Sequence, residues 1–236
     1  MKSNYLNKII KLFVFLLAVN VLLISNSTAF AKKRAKVQSY NAQDWLVNCN
    51  NVAKVLEKGH FRYSNGGTKG TLKKARRHGK RSNCALYVSW CLQEFGATNK
   101  GTTFYTSGSG RIRGRGNLGR NVTVLRKYCS VADADLQIGD VVCFKGVAHT
   151  AIYAGKSEFG NRLWYDGGKS ATNTKRSGGR YRNIGARQVD YLNRRTVSYI
   201  IRIKGLHYFV IFLLVIYIMY LKTGLDFQSC FLHLIS

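Results

Sequence analysis

The chain has 236 residues, with 38 Lys and Arg against 10 Asp and Glu and a formal net charge of +28. A hydrophobic fraction of 46% excludes global disorder, and a chain this long hides enough apolar surface to fold without a disulfide or metal staple. The charge calls for anionic partners, and the lack of any proline leaves the turns to Gly, Asn, Asp and Ser.

The ends differ from the middle. Lys2, Lys8 and Lys11 precede an apolar run over 12–24, and Ala29-Phe30-Ala31 forms a small-residue site. That layout predicts a secretory signal peptide over 1–31, the alternative being an uncleaved anchor. Residues 206–221 are apolar except for His207, and as a helix they would reach roughly 24 Å. The 205–236 tail is therefore read as a membrane anchor, with a buried core helix as the alternative. The working domain is 32–204, which holds 34 basic and 9 acidic residues, a net +25. An exported basic domain suits anionic wall polymers or a membrane surface. It does not call for a specific nucleic-acid partner, because its basic loops lack interleaved aromatics.

Within that domain the spacing of Trp45, Leu46, Cys49, Val52, Ala53 and Leu56 predicts a helix over 42–58, closed by Gly59. A loop rich in Gly, Lys and Arg is expected over 64–82. A second helix is expected from Cys84 to Phe95, with Ser82 or Asn83 as N-cap and Gly96 just past its end. The polar, glycine-rich stretch 97–121 reads as loop. Its Gly114, Gly116 and Gly119 spell G-x-G-x-x-G, but no strand precedes them and no amphipathic helix follows, so a nucleotide site is not expected. Strands are expected over 141–144, 148–154, 162–166 and 197–203, with turns at Gly139-Asp140 and Lys145-Gly146. Helices first and strands later describe an α+β domain with an antiparallel sheet.

Six cysteines in an exported chain raise the question of a disulfide framework, but their spacing does not encourage one. Cys49 and Cys91 fall on apolar helical positions and Cys143 in a strand, where each reads as a small buried hydrophobe. With no C-x-x-C pair a zinc site is not expected, and no cofactor is implied. Cys84 differs, because it stands in the first turn of a helix beside Lys80 and Arg81. Free N–H groups and the positive end of the helix dipole favour a thiolate there. Such a thiolate needs a base, and a third group to orient that base. Of the five histidines, His149 opens a strand of alternating character and is the best placed candidate.

Ser82-Asn83-Cys84-Ala85-Leu86-Tyr87-Val88-Ser89-Trp90 resembles the nucleophile helix of NlpC-type and CHAP-type cell-wall cysteine hydrolases. Leu136-Gln137-Ile138-Gly139-Asp140 with Val141–Phe144, then His149-Thr150-Ala151-Ile152-Tyr153-Ala154-Gly155, resembles their Gly-Asp and histidine hairpin. Phe61-Arg62-Tyr63 before Gly66-Gly67 resembles the segment ahead of the nucleophile. The resemblance implies a papain-like fold, with a nucleophile helix packed on a small antiparallel sheet. It implies Cys84 as nucleophile, His149 as base and Asp166 as the third group, at a position where members often carry His, Asn or Gln. Tyr63 would turn its hydroxyl toward the substrate. The chain departs from the common Asp-Cys-Ser-Gly pattern in reading Asn83-Cys84-Ala85-Leu86. The expected function is hydrolysis of amide bonds in peptidoglycan stem peptides. The alternative is a non-catalytic basic wall- or membrane-surface binding protein with the same fold.

Overall fold

The computed structural model describes residues 40–207, apart from 110, 115–117 and 175–177. The expected signal peptide, most of the apolar tail and Cys230 lie outside the described residues. A short strand β1 (Tyr40–Asn41) leads into helix α1 (Ala42–Lys58), whose Asn41 side chain accepts the Gln43 N–H at 2.7 Å. The helix buries Trp45, Cys49, Val52, Ala53 and Leu56, the stripe that its 3–4 spacing dictates, and the Gly59 N–H closes it on the Val55 carbonyl.

The 64–82 stretch is more ordered than its composition suggests. Strand β2 (Arg62–Tyr63) runs parallel to β3 (Arg81–Ser82), and between them lies a six-residue helix α2 (Leu72–Arg77) capped by Thr71. Helix α3 (Cys84–Glu94) follows directly. Every residue from Cys84 to Gln93 is buried, so α3 must be covered on all faces. It packs against α1 and the central sheet, with Phe61 edge-on to Trp90 at 5.9 Å. Polar bonds fix the helix pair, with Tyr87 Oη donating to the Cys49 carbonyl at 3.0 Å and Asn48 Nδ2 to the Cys91 carbonyl at 2.9 Å.

The 97–121 stretch contains a small hairpin, β4 (Tyr105–Thr106) with β5 (Ile112–Arg113). Strands β6 (Val122–Ser130), β7 (Val141–Phe144), β8 (Thr150–Lys156) and β9 (Arg162–Tyr165) come next. A 3₁₀ turn (Lys169–Ala171), strand β10 (Arg187–Gln188), a short helix α4 (Asp190–Asn193), β11 (Thr196–Ile203) and β12 (Leu206–His207) complete the described chain. Six of the strands form one antiparallel sheet in the order β10-β9-β8-β7-β11-β6. The α+β class with an antiparallel sheet stands. The sheet is larger than the small one expected, because β6 and β10 extend it. β6 is missing from the sequence reading since it is an edge strand, with a mostly half-exposed pattern interrupted by Arg126 and Lys127. His149 lies one residue before its strand, and Asp166 one residue after its own.

Period-2 alternation divides the sheet between two cores. Val141, Cys143, Ile152, Tyr165, Ile201 and Ile203 face the helices, whereas Val142, Phe144, Ala151, Tyr153, Trp164 and Ile200 meet Val131, Val189 and Leu192 on the other side. Leu206 and His207 pair in parallel with Tyr40 and Asn41, so the two ends of the described chain meet. No helix among the described residues is long and apolar enough to cross a membrane.

The Gly139-Asp140 turn carries a buried ion pair. Asp140 is 1% exposed, and its carboxylate accepts Arg202 Nε and one terminal guanidinium nitrogen, each at 2.7 Å. The Gln137 N–H adds a third bond at 2.8 Å. The fork clamps the start of β7 to β11 across the middle of the sheet. Arg202→Met would leave a buried carboxylate unpaired, at a cost of about 3 kcal/mol. In urea unfolding this should lower the midpoint at an unchanged slope, and an unchanged midpoint would remove the clamp from the account.

Candidate active site

Asn83 places Cys84. In extended backbone (φ −147°, ψ −179°), Asn83 turns its Oδ1 onto the Leu86 N–H at 2.9 Å and caps α3. Its Nδ2 reaches back to the Ser64 and Asn65 carbonyls at 3.4 and 3.3 Å, tying the preceding loop to the helix start. Gly67 allows that loop to lie against α3, since a Cβ there would come within 2.5 Å of Leu86. Cys84 is 4% exposed and its thiol donates to the Ala148 carbonyl at 3.8 Å. The N–H of Cys84 belongs to the first turn and has no intrahelical acceptor.

His149 closes the tight turn after β7, with its carbonyl accepting the Phe144 N–H and its ring stacked on Phe144 at 5.9 Å. Its Nε2 lies 3.0 Å from Asp166 Oδ1 and 3.2 Å from the Tyr191 hydroxyl. Tyr191 donates to Asp166 Oδ2 at 2.9 Å, so toward His149 its oxygen is an acceptor. Two acceptors at Nε2 assign the imidazole proton there, which leaves Nδ1 as the nitrogen for Cys84. The Cys84 thiol is near enough for its charge to act on the ring. Burial opposes charge on His149, but the Asp166 carboxylate, the Cys84 sulfur and the bonds to both push its pKa up to about 10.

Asp166 is fully buried. Oδ1 also accepts the Gly168 N–H at 2.8 Å, and Oδ2 also accepts the Ser170 hydroxyl. Arg187 stands 3.7 Å from Oδ2 and donates to Ser170 Oγ at 3.2 Å. Burial alone would raise the carboxyl pKa. The charge of His149 and the bonds from His149, Ser170 and Gly168 outweigh it and hold the group well below the usual carboxylate range. Gly168 has no room for a side chain, since a Cβ would lie 2.6 Å from His149 Cε1 and 2.9 Å from Asp166 Oδ1.

The structure therefore brings Cys84, His149 and Asp166 together, and it adds Tyr191, Ser170 and Arg187, which the sequence reading missed. Tyr191 sits in a four-residue helix without a motif of its own, and only tertiary placement gives it meaning. Tyr63 borders the site. Its hydroxyl donates to Asn65 Oδ1 at 3.1 Å, and its pKa is raised by burial, then by the charges of Cys84 and Asp166. Burial raises Cys49 well above its ordinary value and pushes Cys143 up to about 12, so both stay protonated. In the G-x-G-x-x-G stretch Gly114 follows β5 at φ 79°, and residues 115–117 fall outside the described residues. Compared with protein-family models, curated proteins and solved structures, the chain matches none.

Two expectations follow. Alkylation of the folded protein near neutral pH should modify Cys84 well before Cys49, Cys91 and Cys143, read by peptide mass mapping, and equal rates would remove its special status. His149 has its pKa raised from 6.5 to about 10, so the stability it contributes is full below about pH 6.5 and is lost as pH rises toward 10. The urea midpoint should fall across that window in the wild type and much less in Asp166→Asn, with His149 titrating correspondingly lower by NMR.

Proposed function

We propose that this chain is an exported cysteine hydrolase with a papain-like arrangement, cleaving amide bonds of peptidoglycan stem peptides. The observation that carries the proposal is a cysteine at a helix N-terminus beside an imidazole whose far nitrogen is held by a buried carboxylate. That geometry fits a nucleophile, a base and an orienting group, the three parts of acyl transfer by a thiol. The substrate and the export rest on the ordered resemblance of the motifs and on the leader-like first 31 residues.

In this mechanism the proton of the Cys84 thiol already rests on His149 Nδ1, which a pKa of about 10 keeps protonated at neutral pH, and Sγ attacks the amide carbonyl. The Cys84 backbone N–H, in the first turn of α3, stabilises the oxyanion of the tetrahedral intermediate. His149 gives its proton to the departing amine, which leaves a thioester on Cys84. Water, deprotonated by His149, attacks the thioester and releases the carboxylate with the thiol restored. Asp166 keeps the Nε2 proton in place and stabilises the imidazolium. Tyr191 and Ser170 hold Asp166 in turn. Tyr63 lines the approach, and the basic surface keeps the enzyme on anionic wall polymers.

Incubation of purified peptidoglycan fragments with the full chain should yield products that gain one water per cut and carry a new amine and carboxylate, read by mass spectrometry. Cys84→Ala and His149→Ala should abolish them. Asp166→Asn should lose about tenfold to a thousandfold, less than the orienting carboxylate of a serine triad costs, because a thiol ionises far more easily than a hydroxyl. Products that persist in Cys84→Ala would sink the catalytic reading. Wall binding without any product would leave the non-catalytic binding protein.

A further inference from the structure

We infer that a cleft of about 360 Å³ beside the candidate active site, lined by His60, Arg62, Arg77, Gly79, Lys80 and Arg180, binds the phosphates of a base-free phosphodiester polymer, of the polyol-phosphate kind. This gives a location to the anionic partner of the proposed function, but it is read by binding alone, so the two proposals can fail separately.

Three extended segments lie side by side under the cleft. Arg62 pairs with Arg81 in the parallel β2–β3 ladder and forms an antiparallel bridge with Arg180 on its other edge. The Arg62 N–H donates to the Lys80 carbonyl at 2.9 Å, and the Tyr63 N–H to the Gly179 carbonyl at 2.9 Å. Neighbouring segments in such a ladder are about 4.8 Å apart. Arginines directly opposite one another repel when nothing neutralises them. All five charged or titratable lining residues are exposed, and no carboxylate lines the cleft. A row of cations at that spacing, without internal counter-charge, is built for successive phosphates.

The backbone supports the same reading. Among the described residues, the non-glycine positions with positive φ are His60 (56°) and Lys80 (43°), and both line this cleft. Such strain persists where the surroundings over-determine it, and it concentrates at ligand sites. The chemistry of the wall selects the ligand class. It has no Phe, Tyr or Trp and offers the single His60 ring for stacking, which disfavours a run of stacked single-stranded bases. It has no apolar side chain to enter a bilayer, which disfavours a lipid surface. Lys80 is four residues from Cys84, at most about 14 Å of chain, so a bound polymer would lie beside the nucleophile helix.

The test measures binding of the full chain to a fluorescent poly(glycerol phosphate) oligomer, with oligo(dT) of equal charge and phosphatidylglycerol vesicles as the other arms. The double variant Arg77→Gln/Arg180→Gln should lose about tenfold in affinity for the oligomer and flatten its salt dependence. A charge-matched control at exposed sites outside the cleft, Lys100→Gln/Lys156→Gln, should lose less than threefold. Equal losses in the two variants would mean diffuse charge and overturn the site. Tighter binding to oligo(dT), or binding to the vesicles alone, would overturn the ligand class.

Discussion

A carboxylate with no solvent exposure sets the terms for this molecule. Removing Asp166 from water costs several kcal/mol unless other groups replace its hydration. The replacements come from four places in the chain: the turn after β7, the glycine pair after β9, the 3₁₀ turn, and the region of β10 and α4. Each has to fold before the charge is tolerable. The constraint also bears on chemistry, because an Asp166 that stays ionised holds the Nε2 proton of His149 and favours the charged imidazolium. A neutral group at 166 would remove that bias.

Much of this was legible in the sequence, for identifiable reasons. Helix α1 announced itself through a clean apolar stripe from Trp45 to Leu56, and α3 through an N-cap beside a cysteine. Strand β7 was a four-residue apolar run after a Gly-Asp turn. Cys84, His149 and Asp166 each sit at an element boundary, where capping and turn residues make position readable. What escaped has a common cause. Strand β6 has an exposed outer edge and a charged middle, so no hydrophobic period marks it. Tyr191 and Arg187 act on Asp166 across 25 and 21 positions of sequence, and only the return of the chain through β10 and α4 brings them there, whereas Ser170 reaches it from the 3₁₀ turn four residues on. Arg202 likewise reads as one more cation until β11 carries it to Asp140.

The charge is divided between two uses. A few arginines are drawn into the structure, Arg202 onto a buried carboxylate and Arg187 toward Asp166, and these have partners. Those around β2 and β3 have like charges as neighbours instead. Because Tyr63 and Ser82 occupy the same two-stranded ribbon as Arg62 and Arg81, the ribbon that leads into α3 also displays the cations. A change in that ribbon would move both.

Cysteine chemistry here depends on position more than on residue type. Five described cysteines are free, and Cys49, Cys84, Cys91 and Cys143 are all buried. Burial drives Cys49 and Cys143 toward the protonated form, and for Cys143 it outweighs the hydrogen bond to the Thr150 hydroxyl. Cys84 is as hidden as they are, yet it faces a helix N-terminus and an imidazole that Asp166 keeps ready to carry charge. Burial therefore has different consequences within one molecule. Around Cys49 it suppresses ionisation. Around Asp166 and His149 it excludes water from charges that already have partners, and so strengthens the interaction between them.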